Sequence, residues 1–443
     1  MSRKRRRNRP PAEPSEALIE SLNHDGRGVA HVDGKAVFIY GGLPGEKVRF
    51  RYLKRKRSYD EGSVVEVLSA SPKRVEPRCD KFGICGGCSL QHMDSQSQIE
   101  AKQQVLLENL QHIGKVEAER VLPPLTGEAW GYRRKARLGA KFVDKHGKVF
   151  VGFRERGTSF ITDTVHCAIL HPKVGTILDK LSSLIDGLSI NNKVPQVEMS
   201  MGDEVCVLIF RIMEPIIESD RQKLGEFGQQ HDLHIYLQEG GPETVRPLEG
   251  IPARLSYKLP HFDLELEFLP SDFTQVNSDI NRKMLNLTME LLDPKEDETV
   301  LDLFCGVGNF TLPLACLAKR VTGVEGDAGL VARARENADR NGLNNVNFHV
   351  ANLYESLEGA NWLGESFDKV LLDPPRSGAA EILEHLPKMG AKRIVYVSCY
   401  PGTLARDAGI LVNQHGYKLK AAGVMDMFPH TGHVESIALF EKE

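Results

Sequence analysis

A cysteine near the C-terminus lies at the end of an apolar segment that is typical of a strand. The segment covers residues 393–397, and Cys399 follows it just before Pro401. A single cysteine is more often a small buried apolar residue than a catalyst. A thiol at the carboxyl end of a strand, however, lies where open α/β sheets bind their ligands. The sequence therefore predicts that Cys399 is a nucleophile, with a core residue as the alternative.

Two carboxylates lie next to predicted strands, and the first of them, Asp373, is expected at the same edge of the sheet as Cys399. Asp373 ends a buried strand and precedes Pro374 and Pro375, which fix a rigid, projecting turn. Glu435 comes just before the last predicted strand, where an isolated glutamate is ordinarily a solvated surface charge. The Asp-Pro-Pro turn predicts a ligand site, with a plain turn as the alternative.

A glycine-containing turn links a strand to a helix within residues 300–310. Gly306 and Gly308 let the backbone approach a ligand, and Glu325 ends the next strand, where a carboxylate binds ribose hydroxyls. The turn lacks the third glycine of a dinucleotide site and the lysine of a P-loop. These features favour a ribose-bearing cofactor over a packing turn, and S-adenosylmethionine over NAD.

Methylation of a pyrimidine carbon is the chemistry that needs a thiol, a carboxylate and a methyl donor together. C5 of uracil is a poor nucleophile until a thiolate adds to C6, and a base must afterwards remove the C5 proton. Methylation of a base nitrogen would use the Asp-Pro-Pro turn but would need no cysteine.

Three further cysteines, Cys79, Cys85 and Cys88, fall within ten residues. A disulfide is improbable in a cytosolic chain, and structural zinc sites usually show a second closely spaced pair. Four thiolates would suit an iron–sulfur cluster. The spacing leaves four candidates for the fourth ligand, which are Cys167, Cys206, Cys305 and Cys316.

Three motifs together resemble the RNA uracil-5-methyltransferase family over nearly the whole chain. They are Asp373-Pro374-Pro375-Arg376, Ser398-Cys399-Tyr400-Pro401 and His433-Val434-Glu435. The resemblance implies that Cys399 is the nucleophile and Glu435 the general base. It also implies six S-adenosylmethionine-binding positions, which are Gln275, Phe304, Asn309, Glu325, Asn352 and Asp373.

The same resemblance assigns the cysteine cluster. It implies that Cys167 completes a [4Fe–4S] site with Cys79, Cys85 and Cys88. Family members with this arrangement act on 23S ribosomal RNA, whereas the transfer-RNA member lacks it. The resemblance thus implies methylation of C5 of uridine 1939 in 23S rRNA, giving 5-methyluridine, and a cluster that is structural and positions RNA.

The elements that must position these residues alternate between helix and strand after residue 280. This alternation predicts a mostly parallel, doubly wound sheet, the Rossmann-like fold of class I S-adenosylmethionine-dependent methyltransferases. Residues 15–70 look all-β, which suits a five-stranded OB-like barrel and resembles a TRAM domain. Residues 49–59 interleave six cations with three aromatic rings, which predicts a single-strand RNA platform or a solvated strand edge.

We predict four units along the chain. They are a basic flexible tail at 1–14, the barrel at 15–70, a central α+β domain with the cluster at 71–270, and the methyltransferase domain at 271–443. Within the central domain, Arg133, Arg134 and Arg137 are candidates for holding the RNA backbone, with solvated surface charge as the alternative.

The net charge of −3 is unevenly divided along the 443 residues. Residues 1–156 hold 31 Lys and Arg against 19 Asp and Glu, which is +12, and the remainder holds 26 against 41, which is −15. A basic front predicts a polyanionic partner, here 23S ribosomal RNA. We expect a cytoplasmic monomer without membrane contact, because no secretory signal or long apolar run is present. The alternatives are the same chemistry on another RNA uridine and a non-catalytic RNA-binding or assembly factor.

Overall fold

A computed structural model describes residues 13–355, 357 and 359–442. The predicted basic tail at 1–14 therefore lies almost entirely outside the described residues. No helix in these ranges is long and apolar enough to cross a membrane.

The first sheet closes into a barrel. Its strands are β1 Ser15–Leu18, β2 Ser21–Leu22, β3 Gly28–Val32, β4 Lys35–Tyr40, β5 Lys47–Arg55 and β6 Tyr59–Ser69, in the order β1-β5-β6-β4-β3-β2. The strands β1 and β2 are two halves of one bent segment, and they pair with β5 at one end and with β3 at the other. This double pairing joins the two edges, so the predicted five-stranded barrel is present with one strand divided.

The predicted aromatic platform at 49–59 is wrong for two of its three rings. Phe50 is fully buried and Tyr52 is 8% exposed, because side chains on β5 alternate between the two faces of the sheet. The cations of β5 lie on the outer face and these rings lie in the barrel core.

The central region forms a second sheet with helices on one face. Its elements are α1 Ser95–Asn109, β7 Arg120–Val121, β8 Lys135–Val143, β9 Lys148–Gly152, α2 Pro172–Gly175, α3 Leu178–Asp186, β10 Gln196–Met201, β11 Cys206–Arg211, α4 Glu218–His231, β12 His234–Gln238, β13 Arg246–Pro247, β14 Leu255–Leu259 and β15 Leu264–Phe268. A π-helical turn at Leu110–Gly114 extends α1, and 3-10 turns lie at Asn191–Lys193, Pro242–Thr244 and Pro260–Phe262. The strand order is β13-β12-β11-β10-β8-β9, while β14 and β15 form a separate hairpin.

The C-terminal region forms an eight-stranded sheet. Its elements are α5 Ser278–Leu292, β16 Thr299–Leu303, α6 Thr311–Ala315, β17 Arg320–Glu325, α7 Ala328–Arg340, β18 Val346–Val350, β19 Lys369–Leu372, α8 Ala380–Leu383, β20 Arg393–Ser398, α9 Pro401–Asn413, β21 Lys418–Met425 and β22 Glu435–Glu441, with 3-10 turns at Asn361–Gly364 and Leu386–Met389. The order is β18-β17-β16-β19-β20-β22-β21-β7. The first five strands are parallel and β22 is antiparallel to both neighbours. Two apolar clusters cover this sheet, which is the predicted Rossmann-like methyltransferase fold.

The central region also contributes to the C-terminal sheet. The strand β7 adds the eighth strand by pairing with β21, and Val105 and Leu106 of α1 belong to one of the apolar clusters on this sheet. The parallel strands all end at one edge, and that edge carries the candidate site.

Candidate active site

A cavity of about 740 Å³ opens at the carboxyl ends of the parallel strands. Its walls bring together every residue predicted for catalysis and for methyl-donor binding, which are Gln275, Phe304, Asn309, Glu325, Asn352, Asp373, Cys399 and Glu435. The volume falls in the range of sites for ligands of nucleoside size.

The sheet register places Cys399 opposite Glu435. The last pair between β20 and β22 joins Ser398 to Ser436, so the next residues on the two strands, Cys399 and Glu435, face each other where the strands part. The Ser436 hydroxyl donates to the Ser398 carbonyl at 3.1 Å and holds the ends together. Residues 36 positions apart in sequence thus meet because of strand pairing.

The Cys399 thiol is protonated in the ligand-free protein. Burial, helped by the neighbouring carboxyls of Glu435 and Asp373, raises its pKa to about 11, while the Arg376 guanidinium acts in the opposite direction. A nucleophilic role therefore requires a change in the local charge when substrates bind.

Both carboxyl groups beside the thiol are poor acids here. Burial, together with the charge of Asp373, raises the pKa of Glu435 well above its ordinary value. Burial raises the pKa of Asp373 to about 7, although this residue is open to the cavity on one side. A carboxyl group with a raised pKa is a stronger base once it is ionised, so a base role for either group requires that it first lose the proton that burial favours.

An arginine and a histidine complete this wall of the cavity. The Arg376 guanidinium donates to Nδ1 of His433 at 3.3 Å, and both residues line the cavity. Burial and the Arg376 charge lower the pKa of His433 to about 4, so the imidazole is neutral. The sequence showed these residues only as neighbours of Asp373 and Glu435, and adjacency was the signal that pointed to them.

The loop after β16 adopts an unusual backbone conformation. Phe304 has φ 67°, a region that bulky residues rarely adopt, and Gly306 and Gly308 also have positive φ. The Gly306 N–H donates to the Glu325 carboxylate at 3.2 Å, which fixes Glu325 at the end of β17. The fold maintains this strained turn at the predicted cofactor edge.

Two of the predicted amide side chains, Asn309 and Asn352, form hydrogen bonds to other side chains of the protein. The Asn309 side-chain oxygen accepts from Tyr257 and Asn281, both at 3.0 Å, and its amide nitrogen donates back to Asn281. Asn352 donates to Glu355 at 2.7 Å. Both side chains are therefore held in place by protein partners while they line the cavity.

Several aromatic rings in the cavity wall were not predicted. Tyr257, Tyr354 and Phe428 line it, and the Tyr354 ring packs against Phe304 at 5.8 Å. Phe273 is also part of the wall and is 69% exposed. These rings come from separate segments without a shared motif, so the sequence held no signal for Tyr257 or Tyr354.

The loop that carries His433 and Glu435, residues 426–434, is clamped from α1. The buried Lys102 ammonium donates to Asp426 at 2.7 Å and to the Phe428 carbonyl at 2.9 Å. One turn earlier, Gln98 accepts from the His430 N–H at 2.8 Å. These contacts fix the loop from which the Glu435 strand begins.

The cysteine-bearing segment and the barrel hold the other side of this loop. The Gly432 N–H donates to the Ser89 hydroxyl at 2.9 Å, directly after Cys88. The barrel turn before β3 packs so closely that a Cβ at Gly432 would lie 2.5 Å from Asp25 and 2.6 Å from Gly26. In the same turn, the His24 ring meets Tyr400, the neighbour of Cys399, at 6.1 Å.

The four predicted cluster cysteines converge on a separate cavity. Cys79, Cys85, Cys88 and Cys167 line it, and Phe82 and Phe153 lie in the same wall. Burial, with smaller contributions from the other thiols, raises the pKa of Cys88 to about 12 and that of Cys167 to about 11. As they stand, the described residues include no group of three or more His, Cys, Asp and Glu side chains arranged to hold a metal ion.

All eight cysteines are free thiols. The structure separates Cys206, Cys305 and Cys316 from the four-thiol cavity, since none of them lines it. Cys206 lies in the central core and Cys305 in the wall of the larger cavity, while Cys316 is exposed.

Comparison with known proteins agrees with this geometry. Residues 205–443 match the family model described as tRNA (Uracil-5-)-methyltransferase, and residues 14–65 match the TRAM domain. The chain is 53% identical over 441 residues to the 23S rRNA (uracil(1939)-C(5))-methyltransferase RlmD of Stenotrophomonas maltophilia strain R551-3, covering 99% of each chain. It is 55% identical to the protein of the same name from Nitrosococcus oceani, covering 97% of this chain and 96% of that one.

A solved structure extends the likeness to the fold. The crystal structure of Pyrococcus abyssi tRNA (uracil-54, C5)-methyltransferase in complex with S-adenosyl-L-homocysteine matches with a TM-score of 0.74 at 25% identity, covering 96% of this chain and 99% of that one. The sequence, the site and the fold agree: the chain belongs to the tRNA (uracil-5-)-methyltransferase family and carries a TRAM domain.

Proposed function

We propose that this protein transfers a methyl group from S-adenosylmethionine to C5 of uridine 1939 in 23S rRNA. The observation that carries the proposal is that Cys399 and Glu435 face each other in a cavity that also holds all six predicted methyl-donor positions. The names of the relatives above support the substrate, and the bound S-adenosyl-L-homocysteine of the Pyrococcus structure supports the methyl donor.

Before the reaction, the Cys399 thiol and the Glu435 carboxyl group release their protons to solvent as the substrates bind. The reaction begins when the Cys399 thiolate adds to C6 of the uracil. The electrons of the C5=C6 double bond move onto C5 and O4, and C5 then attacks the methyl carbon of the donor. The electrons of the broken carbon–sulfur bond return to sulfur, which leaves neutral S-adenosylhomocysteine. Glu435 then removes the C5 proton, the double bond re-forms, and Cys399 leaves as a thiolate.

The electrostatics of the cavity suit this sequence of steps. The methyl donor is a sulfonium cation, and a positive charge beside Asp373 and Cys399 favours the ionised forms of both groups. Donor binding therefore offsets the effect of burial that keeps Cys399 protonated in the ligand-free protein. Arg376 contributes a second positive charge to the same wall.

The donor positions divide the recognition of S-adenosylmethionine. Glu325 ends β17, where its carboxylate suits the ribose hydroxyls, and Phe304 offers a ring face. Asn352 lies in the wall where an adenine contact is expected, and Asp373 is placed to attract the sulfonium. Gln275 and Asn309 complete the set.

We also propose a [4Fe–4S] cluster held by Cys79, Cys85, Cys88 and Cys167. The donor set fits such a group, because four thiols line one cavity and the Gly87 N–H already donates to the Cys85 sulfur at 3.4 Å. A cluster of this type would supply rigid cross-linking of the cysteine-bearing segment to the central domain. Iron and sulfide analysis of anaerobically purified protein tests this, and zinc as the bound metal would contradict it.

Four units follow from this assignment. We propose a basic tail at 1–14, a TRAM barrel at 15–70, a cluster-bearing central domain at 71–270 and a methyltransferase domain at 271–443, in a monomer acting in the cytoplasm. The packing of α1 and β7 on the C-terminal sheet ties the central unit to the catalytic unit.

Release of tritium from RNA containing 5-tritiated uridine tests the chemistry. We expect release that depends on S-adenosylmethionine for the wild type and none for Cys399→Ala, with Cys316→Ala as the matched control because this thiol is exposed and outside the cavity. Glu435→Gln should stop after methyl transfer and accumulate a covalent RNA–protein adduct. Equal release by Cys399→Ala and wild type would refute the mechanism.

The same chemistry on another uridine is the second candidate, because the Pyrococcus neighbour is named for uracil-54 of tRNA. Mapping of 5-methyluridine in 23S rRNA from a strain lacking the gene decides between them. Loss of the modified base at position 1939 alone supports the first candidate, and its persistence rejects it.

A further inference from the structure

Two arginines beside the cysteine-bearing segment have no carboxylate partner among the described residues. Arg78 directly precedes Cys79, and the backbone N–H of Arg156 donates to the Ile84 carbonyl at 2.8 Å. Within residues 13–355, 357 and 359–442, neither guanidinium forms an ion pair or a side-chain hydrogen bond. The nearby Arg134 and Arg137, in contrast, pair with Asp203 and Glu198.

Aromatic faces hold both guanidinium groups in place. The Arg156 guanidinium lies over Tyr40 of the barrel at 4.9 Å, and Arg78 lies over Trp130 at 5.1 Å. Stacking covers a face of the guanidinium plane and leaves its N–H edges available. Planar N–H edges held in one orientation suit the oxygens of a phosphate.

The stacked cations form a ladder along the outside of the barrel. Tyr40 also contacts Arg27 at 5.2 Å, Arg27 lies over Phe38 at 5.4 Å, Phe38 meets Tyr59 at 5.1 Å, and Lys56 lies over Tyr59 at 4.6 Å. Unlike Arg156, Arg27 and Lys56 pair with carboxylates, which are Asp25 and Glu61. Arg156 therefore lies at the end of the ladder that is next to the cysteine-bearing segment. Of the three ladder cations, it is the one that has no acidic partner among the described residues.

The second arginine connects this segment to the active-site loop. Trp130, which carries Arg78 on one side, is stacked on His430 with ring centres 3.8 Å apart. His430 belongs to the loop 426–434 that leads into Glu435. The two guanidinium groups thus contact the barrel through Tyr40 and the active-site loop through Trp130 and His430.

We infer that Arg156 and Arg78 bind successive phosphates of one unpaired RNA strand that runs from the barrel to the cavity. The inference rests on the proposed function, since the strand is the one that contains the target uridine. Contacts of this kind fix the position of the strand and are indifferent to its sequence. The chief competing role is balancing the charge of the four thiolates, because the Arg156 charge acts on Cys85.

The salt dependence of RNA binding tests the inference. Each phosphate contact to a single strand contributes about 0.7 to the slope of log affinity against log salt, which is about 2.6-fold between 50 and 200 mM. The double variant Arg78→Gln/Arg156→Gln should therefore lose about 7-fold less affinity over this range than the wild type. The matched control is Arg246→Gln, whose side chain is 57% exposed and paired with Glu239.

The full-length protein is titrated with fluorescent single-stranded RNA of the target sequence and of a scrambled sequence, and tritium release and iron content are measured on the same samples. We expect the lower slope with both RNAs, an RNA KM that rises more than kcat falls, and unchanged iron content. The variant Arg78→Lys/Arg156→Lys keeps both charges and should keep the slope with weaker binding, which provides a test if the glutamine variant does not fold.

A slope equal to that of Arg246→Gln overturns the inference, and a loss of iron with that same slope assigns the arginines to the thiolates instead. Wild-type protein that binds RNA with the expected slope but releases no tritium would refute the proposed function while leaving this binding surface intact.

Discussion

Acidification should weaken the binding of S-adenosylmethionine far more than that of S-adenosylhomocysteine. The two ligands differ at the sulfur, which is a cation only in the methyl donor, and Asp373 lies in the wall of the cavity that we assign to both. Because burial raises the pKa of Asp373 to about 7, this carboxyl loses its charge just below neutral pH. The protonated carboxyl group then no longer attracts the sulfonium of the methyl donor. The thioether of S-adenosylhomocysteine is neutral, so its binding does not depend on this attraction.

The size of the effect follows from proton linkage. If the bound sulfonium returns the pKa of Asp373 toward its ordinary value of 3.8, donor binding below pH 7 must release the proton that the free protein holds. The donor affinity then falls up to tenfold per pH unit, or about 16-fold from pH 7 to pH 5.5 and about 30-fold from pH 8.5 to pH 5.5, relative to S-adenosylhomocysteine. Above about pH 8, where Asp373 is ionised in the free protein as well, the affinity ratio of the two ligands should be constant.

Titration calorimetry of both ligands at pH 5.5, 7 and 8.5, in two buffers of different ionisation enthalpy, measures the ratio and the protons released. In Asp373→Asn the ratio should be independent of pH and close to the wild-type value at pH 5.5. Because the buried Glu435 also titrates with a raised pKa, Glu435→Gln is measured in parallel. The reasoning would be refuted if the wild-type ratio of the two affinities were constant between pH 5.5 and pH 8.5, or if Asp373→Asn kept the dependence of this ratio on pH.

Three further changes test how the site is built. Lys102→Met leaves the buried Asp426 unpaired and should lower the free energy of unfolding by about 3–5 kcal/mol in urea titrations, with partial recovery when Asp426→Leu is added. Gly432→Ala should reduce kcat and thermal stability because its Cβ would overlap the barrel backbone. A Cβ at Gly364 would have no other atom within 4 Å, so Gly364→Ala should change neither quantity. Burial raises the pKa of Asp302 to about 8, so the folded protein retains a proton that the unfolded chain loses above about pH 4. The free energy of unfolding therefore declines as the pH rises from about 4 toward 8. In urea titrations, Asp302→Asn should unfold at a higher urea concentration than the wild type at pH 8 and at a similar concentration at pH 4.

The catalytic edge could be predicted from sequence because it depends on local patterns. Each parallel strand has a recognisable apolar run, and Glu325, Asp373 and Cys399 each follow or end one of these runs. Parallel strands in one sheet end at one edge, so strand ends alone bring the three residues together. Their roles came from the family resemblance, since position gave only modest odds for a nucleophile.

The aromatic platform predicted at 49–59 is wrong for Phe50 and Tyr52, although the sequence contained the pattern that excludes them. Cations and rings alternate along β5 with the period of a strand, which puts Arg49 and Arg51 on one face and Phe50 and Tyr52 on the other. A face that includes fully buried Phe50 is the barrel core. The ring–cation ladder instead follows β4, where the cations come from distant segments and no local pattern exists.

The anchors of the loop 426–434 could not be predicted, because they join segments that are far apart in the chain. Lys102 and Asp426 are separated by 324 positions, and each alone looks like a surface charge. Their pairing becomes possible only after α1 has packed on the C-terminal sheet, which the boundary predicted at residue 270 assigns to another unit. The strand β7, with two residues, gives too short a pattern to recognise.

The position of Glu435 therefore depends on parts of the chain that have no catalytic residues. Lys102 and Gln98 of α1 hold the preceding loop from one side, and Ser89 holds it from the other. The barrel turn fills the space beside Gly432, so the RNA-binding unit and the catalytic loop cannot move independently. A base that must reach C5 only after methyl transfer needs a fixed position, because a displacement of about 1 Å is costly in rate. The basic front of the chain thus contributes to the geometry of the proposed active site, in addition to the RNA binding that we propose for it.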